Sequence, residues 1–228
     1  MRFTFTAHCL NLVLVDVVKT VPEAAESFAL LQSLYVFTSS SYVHAKWLAV
    51  QKDMYGNTRE LQSLSDTRWA CRFVALRNIM DRLPAVKQVL QELPQERRGE
   101  QSSEAHGLLA QLDLEFVVHL VTFRKLFGET KILSDMLQAP DLDLSTAVDL
   151  VETLVQTLKD FREDTYFEKL WQEVLNISKQ CDAATQNAKR QRKISSRLSD
   201  CHILSTVGQR ELDRDKETFR TSFFLSCH

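Results

Sequence analysis

Apolar residues recur at steps of three and four along most of this chain, and polar stretches cut the pattern into segments of helix length. The clearest early case is the run Trp69, Phe73, Leu76, Met80 and Leu83, one side of a helix that follows a polar turn. In that turn Ser65 or Asp66 can supply the oxygen that caps free backbone amides. Pro84 predicts a fresh helix start running to Leu93, and Pro94 a stop, because proline has no amide to donate and restricts the residue before it. Upstream, Phe3 and Phe5 alternate with polar neighbours like a strand stub. From His8 to Val18 the apolar positions are nearly continuous, and length together with Pro22 favours a helix ending near Lys19. A helix should then start at Pro22, with Phe28, Leu31 and Tyr35 on one face and Leu30, Leu34 and Phe37 on another. Ser39, Ser40 and Ser41 are expected to cap a following helix over 42–55, closed by Gly56 and Asn57.

Positions 95–103 carry almost no apolar side chain, so 94–104 reads as a solvated link and the best place for a hinge between two halves. Leu109, Leu112, Phe116, Leu120, Phe123 and Phe127 then predict one long amphipathic helix that Gly128 terminates, with a shorter helix through Met136. Asp143 or Ser145 should cap a helix bearing Val148, Val151, Val155 and Leu158 on one face. Phe167, Leu170, Trp171 and Val174 mark one more, and short links between these elements predict antiparallel neighbours. Beyond Cys181 the pattern is lost. Lys189, Arg190, Arg192 and Lys193 form a short basic cluster that reads as a solvated loop before it reads as a nucleic-acid patch or nuclear signal. The aromatic run Phe223-Phe224-Leu225 meets the chain end at once, which reads as a truncated and frayed tail.

The fold class is therefore all-α, a helical bundle with at most a strand stub at the N-terminus. Only five glycines and four prolines punctuate 228 residues, too few turn residues for a sandwich or barrel. A hydrophobic share of 44% is enough to build a core. A net charge of −2 leaves any basic surface local. His8, Asn11 and Asp16 interrupt the N-terminal apolar run, which is too short and polar to span a bilayer and lacks the flanks of a signal peptide. Five scattered cysteines suit buried free thiols in a reducing compartment, so a nuclear or cytoplasmic protein with no membrane partner is expected.

Little in the chain points to catalysis. His8-Cys9 and Cys201-His202 are adjacent pairs, a poor spacing for one tetrahedral zinc ion, and there is no Cys-x-x-Cys. No glycine-rich phosphate loop, nucleophile elbow or paired-carboxylate motif is present. No metal site, no cofactor and no enzyme activity are predicted. His8, at the start of an apolar helix, reads first as a satisfied structural residue. Arg68 and Trp69, side by side in a first helical turn, suit a core or a ligand equally well.

Two stretches nonetheless form a recognisable pair. Ala7-His8-Cys9-Leu10-Asn11-Leu12, with Asp16 nearby, is followed at a distance by Ser65-Asp66-Thr67-Arg68-Trp69. Their order and spacing resemble the paired signature of hAT-superfamily transposases, in which a Cys-x-x-His element leading into His-x-Leu-Asn-Leu precedes an Arg-Trp motif. Further stretches, Leu34-Tyr35-Val36-Phe37, Leu108 to Asp113 and Ser205 to Arg210, resemble domesticated members of the zinc finger MYM-type protein 1-like group. The resemblance implies a helical domain inserted into an RNase H-like core whose three metal-holding acidic residues fall outside this sequence. Positions 1–20 would be a remnant of that core, 21–185 the helical insertion, and 186–228 a basic, polar loop and tail.

The resemblance also implies roles for single residues. The family's tryptophan, matched by Trp69, lies near the cleaved DNA end beside an extruded base, and the arginine, matched by Arg68, can meet phosphate. His8 remains from the first element, but Phe5 stands where its cysteine belongs, so that element is broken. Two expectations follow. One is a catalytically incomplete, transposase-derived fragment that binds DNA or a protein partner through Arg68, Trp69 and His8. The other is a helical scaffold or relic without nucleic-acid affinity. Catalysis restored in trans by a partner that carries the acidic residues is a third.

Overall fold

The computed structural model describes residues 20–64, 69–96, 99–139, 142–181 and 216–221, together with 10, 12, 13 and 16; of 69 and 70 it describes the backbone alone. All regular structure among these residues is helical, so the protein is all-α. Seven helices follow one another: α1 (Pro22–Thr38), α2 (Ser41–Tyr55), α3 (Trp69–Glu96), α4 (Glu100–Gln111), α5 (Leu114–Leu137), α6 (Leu144–Asp160) and α7 (Asp164–Gln180). Positions 10, 12, 13, 16 and 20 are also helical, as the pattern before Pro22 predicted, and 216–221 form a short helical turn. The strand stub at 1–6 and the basic cluster at 189–193 lie outside the described residues.

Two long helices organise the rest. α3 packs against α1, α2, α4 and α5, while α5 packs against α1, α3, α6 and α7. One apolar core joins them, with Phe28, Leu31 and Leu34 of α1, Val43 and Trp47 of α2, Leu76, Ile79, Leu83, Val86 and Leu90 of α3, and Phe116, Val117, Leu120 and Phe123 of α5. The Phe28 ring lies 5.5 Å from Phe123 and 5.8 Å from Phe127, centroid to centroid. Phe167, Leu170, Trp171 and Val174 of α7 are buried, as their spacing predicted. A smaller cluster of Leu133, Leu137 and Ala147, with Leu10, Leu150 and Leu154 at its margin, holds α6 to the end of α5.

The structure differs from the sequence reading at four places, each with a physical cause. α3 runs unbroken through both Pro84 and Pro94. Each internal proline costs about 3 kcal/mol. Burial of Leu83, Val86, Leu90 and Leu93 returns roughly 1.5–3 kcal/mol per side chain. The long helix expected over 109–127 is instead split. α4 ends at Gln111, and the Asp113 carboxylate accepts from the Phe116 amide at 3.0 Å to start α5. α5 then passes straight through Gly128, where no left-handed turn forms. The three serines after α1 do not cap α2: Ser39 Oγ donates to the Tyr35 carbonyl (2.7 Å) and Ser40 Oγ to that of Phe37 (3.1 Å). Ser39 and Ser40 thus add a second bond to last-turn carbonyls of α1 that already accept from backbone amides, which uses the hydroxyls that would have capped α2.

α6 is the fourth difference. Val148 is 48% exposed and Val155 45%, and Leu144 at its start 68%. It is the neighbouring stripe of Ala147, Leu150 and Leu154 that packs on α5. The helix is apolar over an arc wider than one neighbour covers, and a sequence pattern cannot say which half of such an arc is buried. α6 and α7 also take α5 as their main neighbour. Near the C-terminus Phe219 is buried in the main core, whereas the run at 223–225 expected to fray lies outside the described residues. As for 94–104, α4 begins inside it at Glu100 and places Ala105 and Leu108 in the same core as α3.

Candidate nucleic-acid interface

The three residues singled out by the sequence meet the structure unequally. His8 and Arg68 lie outside the described residues, and of Trp69 only the backbone is described, as the first residue of α3. The structure therefore does not bring these three together or separate them. What it does describe is the frame on either side of Arg68-Trp69.

On the upstream side the chain from 57 to 64 is fixed by side chains that stand in for a missing ladder. Gln51, fully buried in α2, donates from Nε2 to the Arg59 carbonyl (3.0 Å) and accepts from the Arg59 amide at Oε1 (2.9 Å). Arg82 of α3 donates from Nε to the same Oε1 (3.1 Å), donates to the Asn57 side chain, and lays its guanidinium over the Tyr55 ring at 4.1 Å. Asn78 donates to the Glu60 carbonyl (3.1 Å), Arg59 pairs with Asp81, and the Leu64 amide donates to Gln32 of α1 at 2.9 Å. Buried polar groups that find partners in this way hold one backbone path. Gly56 permits it by closing α2 at φ 71°, as the sequence predicted.

On the downstream side the first turns of α3 are committed to the bundle. Arg72 is buried with its guanidinium carbon 5.0 Å from the centre of the Phe28 ring. Phe73 is half-buried against the core and Leu76 fully within it. Residues three, four and seven positions after Trp69 thus face inward. Arg72 and Arg82, two of the arginines in this part of α3, serve packing. Arg77 is exposed.

Other groups that sequence reasoning passed over come together elsewhere. His119 of α5 is buried, with Nδ1 3.0 Å from Ser27 Oγ of α1 and its ring 6.0 Å from Phe123. Burial holds its imidazole down at about 4, the nearby Glu23 carboxylate opposing this only in part. The signal was available: a lone histidine inside Val117-Val118-His119-Leu120-Val121 has nowhere polar to go. His44 of α2 meets Glu60 at 3.0 Å beside an open recess of about 320 Å³ lined also by Tyr35, Thr38, Ser39 and Leu61. Lys46 spans Glu92 (2.7 Å) and Glu96 (2.6 Å) of α3. Partial burial lowers its affinity for a proton, but the bonds and charges of the two glutamates outweigh this and raise it. Of the cysteines expected to be buried free thiols, Cys71 is free and partly buried and Cys181 free and buried, and burial pushes the Cys181 thiol up.

Among the described residues no three His, Cys, Asp or Glu side chains gather so as to hold a metal ion. No described helix is long and apolar enough to cross a membrane. No protein-family model matches the chain, and no solved structure matches it.

Proposed function

We propose that this protein is a transposase-derived helical module that contacts DNA without carrying out strand chemistry itself, through Arg68 and Trp69 with His8 as the third contact. The observation that carries the reading is the position of Arg68-Trp69. In sequence the pair lies between the pinned segment 57–64 and the body of α3, the helix around which four others pack. An arginine and a tryptophan between these two described segments suit phosphate and an unstacked base, the one by charge-assisted hydrogen bonds and the other by stacking. The resemblance to hAT-superfamily transposases supplies the kind of DNA, a hairpin or a strand end with unpaired bases. It also supplies the absence of strand chemistry, since the family's acidic residues have no match here.

A second reading has its own support. The inward register of Arg72, Phe73 and Leu76 suits a Trp69 that packs in the core, in a helical scaffold with no affinity for DNA. Gel shift of a hairpin with a single-stranded flank separates the two. Under the DNA reading the wild-type chain shifts the hairpin, more weakly as salt rises from 50 to 200 mM. Trp69→Ala weakens binding about tenfold or more, in line with the roughly 1–3 kcal/mol of a base–aromatic stack. Arg68→Ala also weakens it and flattens the salt dependence. Equal and negligible binding by all three chains leaves the scaffold.

A further inference from the structure

The described C-terminal turn, 216–221, docks on the bundle in a way that neither its composition nor the DNA reading accounts for. Lys216 and Arg220, one helical turn apart, pair with Glu168 and Asp164, which are one turn apart on α7. Between these two ion pairs Phe219 is buried, with its ring centroid 5.7 Å from that of His119 on α5. Acids at i and i+4 on one helix thus face bases at i and i+4 on the other, and a single aromatic ring fixes depth and register. The sequence 182–215 separates this turn from the end of α7, so the contact is made by a tethered segment.

We propose that α5 and the first turns of α7 form a peptide-docking site for a short helix that carries a buried phenylalanine with a basic residue three positions before it and another directly after it, and that Lys216, Phe219 and Arg220 occupy it as an exchangeable internal ligand. The surface meets both demands of such a motif: an apolar seat, floored by His119, and an acidic rim, Asp164 and Glu168, that is largely open to solvent. Exchange follows from the balance of terms. One buried ring and two solvent-facing ion pairs stabilise the contact by an amount comparable with the entropy lost in ordering the segment. The tether then keeps the turn on its seat through a high local concentration. The occupant is a peptide of this chemistry, supplied here by the chain itself. The site lies on α5 and α7 and is independent of whether Arg68 and Trp69 meet DNA.

The test titrates a fluorescein-labelled synthetic peptide of residues 212–225 against the full chain and reads anisotropy. Wild type, with its seat filled, binds the peptide weakly. The full chain with Lys216→Glu and Arg220→Glu frees the seat and binds it at least tenfold more tightly at 50 mM salt than wild type does. That binding weakens at 500 mM salt and is lost when the peptide carries Phe219→Ala. Adding Asp164→Lys and Glu168→Lys to the chain reverses the rim, and this also abolishes binding. Far-UV circular dichroism checks that each chain keeps its helix content; if the charge reversal lowers it, the chain with Phe219→Ala replaces it in the same titration. Equal peptide binding by the wild-type and freed chains, at any level, overturns the proposal, as does undiminished binding of the Phe219→Ala peptide.

Discussion

A single buried imidazole shows how much one residue can set for this molecule. His119 is held at about 4 in the folded chain by burial, against an ordinary value of 6.5. Between those two pH values the unfolded chain takes up a proton that the folded chain refuses. Stability is therefore undiminished above pH 6.5, falls as the pH drops towards 4, and loses nothing further from this group below that. The total is roughly 3 kcal/mol on a scale of 1.36 kcal/mol per pH unit. Urea midpoints measured from pH 7 to pH 4 should fall accordingly. The slope should flatten in His119→Gln, which keeps a polar group for Ser27 but does not titrate; equal slopes in the two proteins would remove His119 as the cause. Asp143 is tuned the other way: hydrogen bonds from Thr146 and Ser145 hold its carboxyl down at about 2. It therefore stays charged as the α6 cap across the same range.

At the level of helices, Gly128 gives the sharpest case. An α-helical glycine costs about 0.5–1 kcal/mol relative to alanine. A Cβ at this position would stand 3.5 Å from the Phe73 ring, an ordinary contact. Gly128→Ala should therefore raise stability by about 0.5–1 kcal/mol, seen as a higher melting temperature. A glycine ending a helix in the left-handed region would give the opposite sign. α6 offers a second case. Val151→Lys should change stability by less than about 0.5 kcal/mol, because its side chain is already exposed. Leu154→Lys, which disrupts the packing on α5, should cost several times more, as read by urea denaturation.

These cases mark what the sequence made legible. Helix existence was readable wherever the apolar residues formed a narrow stripe, as in α7, and where a residue suited to a helix end marked the boundary, as with Pro22, Gly56 and Asp143. Helix breaks were not. Pro84, Pro94 and Gly128 carry local penalties that burial of apolar side chains along the same helices outweighs, and spacing does not reveal which neighbours a helix will meet. Asp113 was hidden for the reverse reason, since the stripe continues across it and only its side-chain bond to the Phe116 amide splits α4 from α5. For the candidate site, the sequence offered Arg68-Trp69 as a pair. The inward commitment of Arg72 and Arg82 was not legible, because a buried arginine looks in sequence like a surface one.

For the molecule as a whole, one bundle is built on α3 and α5, and the proposed DNA contact and packing in that bundle make opposite demands on Trp69. The protein's own chromophores can decide between them. Trp47 and Trp171, the other two tryptophans, are buried. Emission that acrylamide can reach therefore reports on Trp69. DNA contact predicts a quenchable fraction that disappears in Trp69→Phe and becomes protected when wild type is saturated with the flanked hairpin. Emission that acrylamide never reaches, or a quenchable fraction that hairpin DNA leaves unchanged, would contradict it.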